Sequence, residues 1–124
     1  DYYLRVTQAV KDAVPSMHVH GFTALEVTEG ARRLGEPLET YLRRMKDAGL
    51  ASLPGTAAEI LDDEIRGVLC PDKVSTSEWL DAHEIAEDYG VGLSTAYRYL
   101  RECAGRTTDS RQALRVPRAR WLAR

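Results

Sequence analysis

Two histidines separated by one residue are the first candidates for chemistry in this 124-residue sequence. His18 and His20 lie in MHVHGF (17–22), a short segment with branched and aromatic residues that predicts a strand. Alternate residues of a strand share a face, so both imidazoles are expected to point the same way. On the interior face of a barrel, either could donate a proton or contact a ligand. The alternative is that one or both are interior histidines with structural hydrogen bonds. As metal ligands they lack a third partner of obvious spacing.

A second candidate is the turn PGTAAEI (54–60), which follows the apolar segment LASLP (50–54). A Pro–Gly turn after a strand lets the backbone approach a ligand, and the small residues that follow, Thr56 among them, leave room for one. Glu59 is expected in the first turn of the next helix. There it would either accept hydrogen bonds from a ligand hydroxyl or amine, or only compensate the helix dipole.

The segment EIAEDYGVGLSTAYRYLRE (84–102) has two interpretations. It matches a DNA-binding helix-turn-helix, with Gly90 in the turn and a recognition helix after it. The residues that would contact DNA in this alternative are Ser94, Thr95, Tyr97, Arg98 and Arg101. The other interpretation is a helix, its terminating glycine and the start of the next strand. The second is favoured because the upstream pattern does not resemble a small helical DNA-binding bundle.

That upstream pattern alternates helices with short apolar strands. Pro15 closes the first helix, a short helix is expected at about 25–34, and an amphipathic helix from Pro37 ends at Gly49. The next helix is expected to begin directly from the GTAAEI turn. Its apolar residues are Ile60, Leu61, Ile65, Val68 and Leu69. Ser75 and Glu78 predict a capping box for the helix that contains Trp79.

This order predicts parallel βαβ units of the α/β class, about βαβαβ in all. Two or three strands leave open edges and cannot close a barrel. The pattern therefore indicates a section of a larger α/β fold. The loops that follow the strands lie at the carboxyl ends, where barrel enzymes place their chemistry.

Composition narrows the functional classes. The chain is 44% hydrophobic and 29% charged, values typical of a soluble globular protein. No apolar run reaches membrane-spanning length and the first residues do not resemble a signal peptide, so a cytoplasmic location is expected. The two cysteines, Cys70 and Cys103, are too few for a zinc site or a disulfide framework and are expected to be free thiols.

The small net charge of −2 conceals an uneven distribution. Residues 98–124 contain eight arginines and no lysine against Glu102 and Asp109, whereas the preceding residues are strongly acidic. An arginine-rich end can contact phosphates. It can also be unrelated to the fold that precedes it.

The motifs together resemble a known family. MHVHGFTALEV, then AGLASLPGTAAEIL, then K-x-x-T-x-x-W at Lys73, Thr76 and Trp79 resemble the radical S-adenosylmethionine enzymes of cofactor synthesis, in particular the family of the second subunit of FO synthase. The resemblance covers about residues 2–93. It implies a (β/α) TIM-type barrel whose [4Fe–4S] cluster cleaves S-adenosylmethionine. The radical would then transfer the 4-hydroxybenzyl part of tyrosine to a ribityl-diaminouracil in deazaflavin synthesis.

By position in that family, the residues expected to face the S-adenosylmethionine or substrate cavity are His18, His20, Thr56 and Glu59. The family's C-x-x-x-C-x-x-C cluster motif is absent from this sequence, so the chain alone is expected to be inactive, with the motif upstream. The resemblance stops near Ser94. The expected organisation is a partial barrel over 1–93 and a divergent arginine-rich tail over 94–124, either read out of frame in a disrupted gene or otherwise unrelated to the barrel.

Three functional hypotheses follow from these observations. The first is a segment of a radical S-adenosylmethionine transferase, and the second is the helix-turn-helix protein with nucleic acid as its partner. The third is a subunit that pairs with a separate, cluster-bearing partner chain. A membrane partner is not expected.

Overall fold

The computed structural model describes residues 1–58, 60–92 and 94–104. This part of the chain forms six helices and two short strands. In order they are α1 (Tyr2–Ala13), β1 (Val19–His20), α2 (Ala24–Leu34), α3 (Leu38–Asp47), β2 (Leu50–Ser52), α4 (Asp63–Leu69), α5 (Thr76–Asp88) and α6 (Thr95–Ala104). Within these residues, no helix combines the length and the apolar character that crossing a membrane requires.

The strands are parallel, as the βαβ pattern predicts. Val19 pairs with Leu50 and His20 with Ser52, with an irregularity in register between the two pairs. Gly92 forms a parallel bridge with Ser52 on the other edge of β2. Three successive chain segments thus lie side by side in sequence order. The α/β class is confirmed, and the helix-rich connections between the strands account for most of the residues.

Side-chain caps fix where several helices begin. Ser75 and Glu78 form the predicted capping box: the serine hydroxyl accepts from the Glu78 N–H, and the glutamate accepts from the Ser75 N–H. Thr23 and Glu26 form a second box at the start of α2. Each cap satisfies N–H groups that have no partner inside the helix.

The core lies where α2, α3 and α5 pack together beside the strands. Its largest fully buried side chains include Trp79, Tyr41, Leu42 and Met45. Tyr41 packs closely on α2 at Gly30, where an added Cβ would lie 2.6 Å from the tyrosine hydroxyl oxygen. Burial raises the pKa of Tyr41 to about 12, so its phenol stays neutral at physiological pH.

The predicted helix start after PGTAAEI is wrong. Ile60 and Leu61 are not helical, and the Asp62 carboxylate caps α4 by accepting from the N–H groups of Glu64 and Ile65. The helix is therefore only seven residues long. Two of its apolar residues face solvent, because Val68 is 80% exposed and Leu69 is 66% exposed.

The turn glycines Gly35 and Gly49 provide a matched stability test. Gly35 has φ of 66° and open space around it, whereas Gly49 has φ of 107° and a Cβ there would lie 2.5 Å from Lys11 Cγ. We expect Gly35→Ala to lower the free energy of unfolding by about 1 kcal/mol through backbone strain alone. Gly49→Ala adds a steric clash and should cost about 2–3 kcal/mol. Urea unfolding of both variants measures the difference, and equal losses would contradict this account.

Candidate functional site

The two candidate histidines both contact one serine hydroxyl. His18 Nε2 lies 2.8 Å and His20 Nδ1 lies 2.7 Å from Ser52 Oγ. Ser52 ends β2 and is 8% exposed, whereas both histidines are exposed. The prediction that the imidazoles share a face is confirmed. We refer to His18, Ser52 and His20 as the His–Ser–His group.

Backbone pairing holds Ser52 in place from both sides. The Gly21 N–H donates to the Ser52 carbonyl at 3.1 Å, and the Gly92 N–H donates to the Ala51 carbonyl at 2.7 Å. A Cβ on Gly92 would lie 3.0 Å from both the Ala51 carbonyl oxygen and Ser52 Cβ. Glycine at position 92 therefore allows its segment to come this close to β2.

The loop after β2 packs tightly on α5 and α6. Trp79 Nε1 donates to the Thr56 carbonyl at 2.9 Å. A Cβ on Gly55 would lie 2.6 Å from Ser94 Oγ and 2.9 Å from Ala96 Cβ. Ala57 has a positive φ of 68°, as does Phe22, at 56°, in the loop after β1. Each of the two loops at the carboxyl ends of the strands thus contains a non-glycine residue in the left-handed region, which is costly unless the surroundings enforce it.

Arg66 secures the same loop from α4. It is 4% exposed, and its guanidinium donates to the carbonyl groups of Ala57 and Ile60 at 2.7 Å each. It also donates to the Val74 carbonyl from Nη2 at 2.5 Å. A planar guanidinium can satisfy several carbonyl oxygens at fixed angles, which a lysine cannot. These bonds hold Ala57 and Ile60 in the non-helical segment before α4.

A buried histidine lies behind the loop. His83 is fully buried between two aromatic rings, with its ring centroid 4.1 Å from that of Trp79 and 5.3 Å from that of Tyr97. Its Nδ1 lies 2.9 Å from the Trp79 carbonyl oxygen. Burial lowers the pKa of His83, although the carbonyl groups of Trp79 and Pro54 partly oppose that effect.

The other predicted cavity residues are only partly described. Thr56 is exposed in the loop four residues beyond Ser52, and in the described contacts it does not touch either histidine of the pair. The described contact of Thr56 is made by its backbone carbonyl, which accepts a hydrogen bond from Trp79 Nε1. Glu59 lies outside the described residues. Its predicted role therefore stays a prediction.

In the segment 84–92 the favoured helix end and its glycine are confirmed, and Gly92 forms an isolated parallel bridge with Ser52. α5 ends at Asp88, Gly90 is left-handed with φ of 69°, and Gly92 pairs with β2. The helix-turn-helix alternative correctly places a second helix, α6, which the family resemblance did not predict. Of its proposed DNA contacts, Ser94 and Tyr97 are buried, Arg98 and Arg101 are exposed, and the Thr95 side chain is not among those described.

Helix α6 packs against the rest of the chain through Tyr97. Burial raises the pKa of this tyrosine to about 12, and the Ser94 hydroxyl accepts from its N–H at 3.1 Å. Arg101 pairs with Glu87 of α5.

Residues 105–124 lie outside the described part of the chain. The prediction of an unrelated arginine-rich tail therefore stays a prediction, as does nucleic-acid binding.

Metal ligation has little support in the residues that are described. Among them, no group of three or more His, Cys, Asp or Glu side chains could hold a metal ion. Cys70 is a free thiol, and the Cys103 side chain is not among those described. The chain's two cysteines are one fewer than the three thiolates of the expected cluster motif.

Sequence reasoning missed three residues of this region. Ser52 carried a signal, because it is a polar residue at the end of an otherwise apolar strand. His83 and Arg66 gave none, since each looks like an ordinary polar residue on a helix. Only the packing of distant segments shows that they are buried.

Comparison with known proteins confirms the resemblance. A protein of Archaeoglobus fulgidus named 5-amino-6-(D-ribitylamino)uracil–L-tyrosine 4-hydroxyphenyl transferase is 42% identical over 99 residues, or 80% of this chain and 29% of that protein. The protein of that name from Methanopyrus kandleri is also 42% identical over 99 residues. A Streptomyces avermitilis protein named FO synthase is 45% identical over 97 residues, or 78% of this chain and 11% of the relative.

The chain thus spans less than a third of the length of these relatives. No protein-family model matches the chain.

His83 should make stability depend on pH. Burial lowers its pKa below 6.5, so the unfolded chain binds the proton more readily than the folded one. The free energy of unfolding should therefore be highest above pH 6.5 and fall as pH drops below it, approaching about 1.4 kcal/mol per pH unit. Urea unfolding between pH 5 and 8 measures this slope.

His83→Phe keeps a ring between Trp79 and Tyr97 but cannot titrate, so it serves as the matched control. The slope between pH 5 and 6.5 should become clearly smaller in this variant. An unchanged slope would assign the pH dependence to other groups. Glu78 does not contribute to the slope between pH 5 and 6.5, because hydrogen bonds from Ser75 lower its pKa below 4.5.

Replacing Arg66 should destabilise the chain strongly. Arg66→Met leaves the carbonyl groups of Ala57, Ile60 and Val74 without this donor, and we expect a loss of about 3 kcal/mol in the free energy of unfolding. Arg33→Met is the control, because Arg33 is exposed on α2 and its loss should stay within about 0.5 kcal/mol. Similar losses in the two variants would show that the Arg66 hydrogen bonds contribute little to stability.

Proposed function

We propose that this chain is a segment of a radical S-adenosylmethionine transferase of deazaflavin synthesis. The reaction would join the 4-hydroxybenzyl part of tyrosine to 5-amino-6-(D-ribitylamino)uracil. The observation that carries the proposal is the 42–45% identity to proteins named for this transfer or as FO synthase, over about four-fifths of the chain. On this proposal the protein works in the cytoplasm.

The strand arrangement supports a barrel as the parent fold. Three parallel segments follow one another in sequence order, with β1 beside β2 and Gly92 beside the other edge of β2. Helices connect them, as in a (β/α) barrel. The described residues place no strand on the outer edge of β1. In the proposed parent that edge pairs with a further strand.

The candidate site lies where this fold would place chemistry. His20 and Ser52 end their strands, and Thr56 lies in the loop that follows β2. The carboxyl ends of parallel barrel strands form one face, on which βα loops build active sites. We therefore assign the His–Ser–His group and the Thr56 loop to the substrate or S-adenosylmethionine cavity. Glu59 is retained as a candidate by its place in the sequence.

The residues of this chain have two tasks in that proposal. The imidazoles and the Ser52 hydroxyl are polar groups without a fixed negative charge, so they can orient a polar substrate by hydrogen bonding. The Arg66 bonds and the Trp79 bond to Thr56 keep the loop backbone in one conformation. A fixed loop positions a bound molecule without an ordering cost at each turnover.

An iron–sulfur cluster does not fit the residues of this chain. The two cysteines are 33 positions apart and cannot supply three thiolates. In the parent family the cluster provides the electron that cleaves S-adenosylmethionine. On this proposal its ligands come from outside these 124 residues, either from another part of a longer protein or from a cluster-bearing partner chain. The chain alone is then inactive in the transfer.

A chimeric enzyme tests the proposal. Residues 2–93 would replace the matching segment of the Archaeoglobus fulgidus relative, which keeps the rest of its own chain. With S-adenosylmethionine, a reductant, tyrosine and 5-amino-6-(D-ribitylamino)uracil, we expect product formation within about tenfold of the unmodified relative, measured by mass spectrometry. His20→Phe in the chimera should lower kcat/KM by about 100-fold or more.

Two controls accompany this assay. Arg33→Ala in the chimera alters an exposed residue of α2 and should leave the rate unchanged. The 124-residue chain alone should give no product. A chimera that folds and carries its cluster, yet transfers nothing, would overturn the proposal.

A further inference from the structure

The Ser52 hydroxyl is shared between two imidazoles, and its single proton limits what the group can do. Ser52 Oγ can donate one hydrogen bond and accept others. It contacts His18 Nε2 at 2.8 Å and His20 Nδ1 at 2.7 Å, and the described residues offer its side chain no third partner. Both contacts are satisfied when one imidazole donates to Oγ and Oγ donates to the other.

This arrangement links the tautomers of the two rings. If His18 Nε2 carries the proton and donates, His20 Nδ1 must accept, and the His20 proton then lies on Nε2. If Oγ donates to His18 Nε2, the protons lie on Nδ1 of both rings. The rings therefore have the same tautomer in either state, because they touch Oγ through different nitrogens.

As a result, the two outer ring nitrogens of the pair have opposite hydrogen-bonding roles. In the first state His18 Nδ1 is an acceptor and His20 Nε2 is a donor, and in the second state these roles are exchanged. In both of these states one donor and one acceptor are presented together. Both rings are exposed, so these outer nitrogens are available to a bound molecule.

We propose that Ser52 is a positioning residue that joins His18 and His20 into a neutral proton relay, and that the relay binds 5-amino-6-(D-ribitylamino)uracil. This inference rests on the proposed function for the choice of ligand. The relatives' names supply two candidate substrates, this uracil and tyrosine. A neutral donor–acceptor edge fits the imide or hydroxyl groups of the uracil compound. The ammonium and carboxylate groups of tyrosine require opposite charges instead.

The relay also moves a proton without changing its own charge. A proton that arrives on His18 Nδ1 releases the Nε2 proton to Ser52 Oγ. The hydroxyl proton passes to His20 Nδ1, and the proton of His20 Nε2 leaves to the ligand or to water. One proton enters and one leaves, and the group ends in its second state. Reversal of the same steps resets it.

Histidine NMR of the full 124-residue chain tests the relay. With 15N-labelled histidine at pH 8, long-range nitrogen–proton correlations assign the tautomer of each ring. We expect matched tautomers for His18 and His20 and a slowly exchanging Ser52 hydroxyl proton with contacts to both rings. Mixed tautomers, Nε2–H on one ring and Nδ1–H on the other, would overturn the proposal.

Ligand titrations complete the test. 5-Amino-6-(D-ribitylamino)uracil should shift the outer nitrogens of both rings together, and it should bind at least tenfold more tightly than tyrosine. Uracil and D-ribitol, added separately, distinguish the ring from the ribityl hydroxyls as the bound part. Preference for tyrosine, or no response of either ring to all four compounds, would overturn the ligand assignment.

Two variants separate the relay from simple packing. Ser52→Ala keeps most of the side-chain volume but should weaken uracil-compound binding about tenfold and uncouple the ring responses. Ser52→Thr retains the hydroxyl and should restore both. Binding by Ser52→Ala equal to that of the unmodified chain would overturn the relay. Matched tautomers and uracil binding in a chain whose chimera transfers nothing would instead reject only the transferase proposal.

Discussion

The backbone of residues 51–53 is hydrogen-bonded along both edges, and the candidate site depends on that pairing. On one side Gly21 donates to Ser52, and on the other Gly92 donates to Ala51 and accepts from Leu53. With its backbone fixed, the Ser52 hydroxyl stays in one position between the imidazoles. The same pairing brings the segment before α6 next to the loop after β2.

Local sequence signals predicted much of the helical framework. The Ser75–Glu78 capping box, the helix end before Gly49 and the shared face of His18 and His20 were all correct. Each of these features is set by residues within a few positions of one another. Caps, left-handed glycines and strand alternation act over that range, so they can be recognised before a fold is known.

The incorrect helix start after β2 has a long-range cause. Arg66 donates hydrogen bonds to the carbonyl groups of Ala57 and Ile60. Asp62 then caps α4, so the helix begins later than the turn predicts. Nothing near the turn indicates that a guanidinium six to nine residues away will bind there. Ser52 illustrates the same limit within the site, because its importance comes from two histidines more than 30 positions earlier. The family resemblance predicted that the histidines face a cavity, but it did not predict their common partner.

The parallel pairing also sets an order of assembly during folding. β1 meets β2 only after a loop of about 30 residues closes, and Gly92 reaches Ser52 across about 40 residues. The helices between them form from local contacts, and the α2–α3 connection is short. Non-local parallel contacts form slowly in comparison with local helical ones. The His–Ser–His group is thus expected to form after its flanking helices, because it needs contacts between residues more than 30 positions apart.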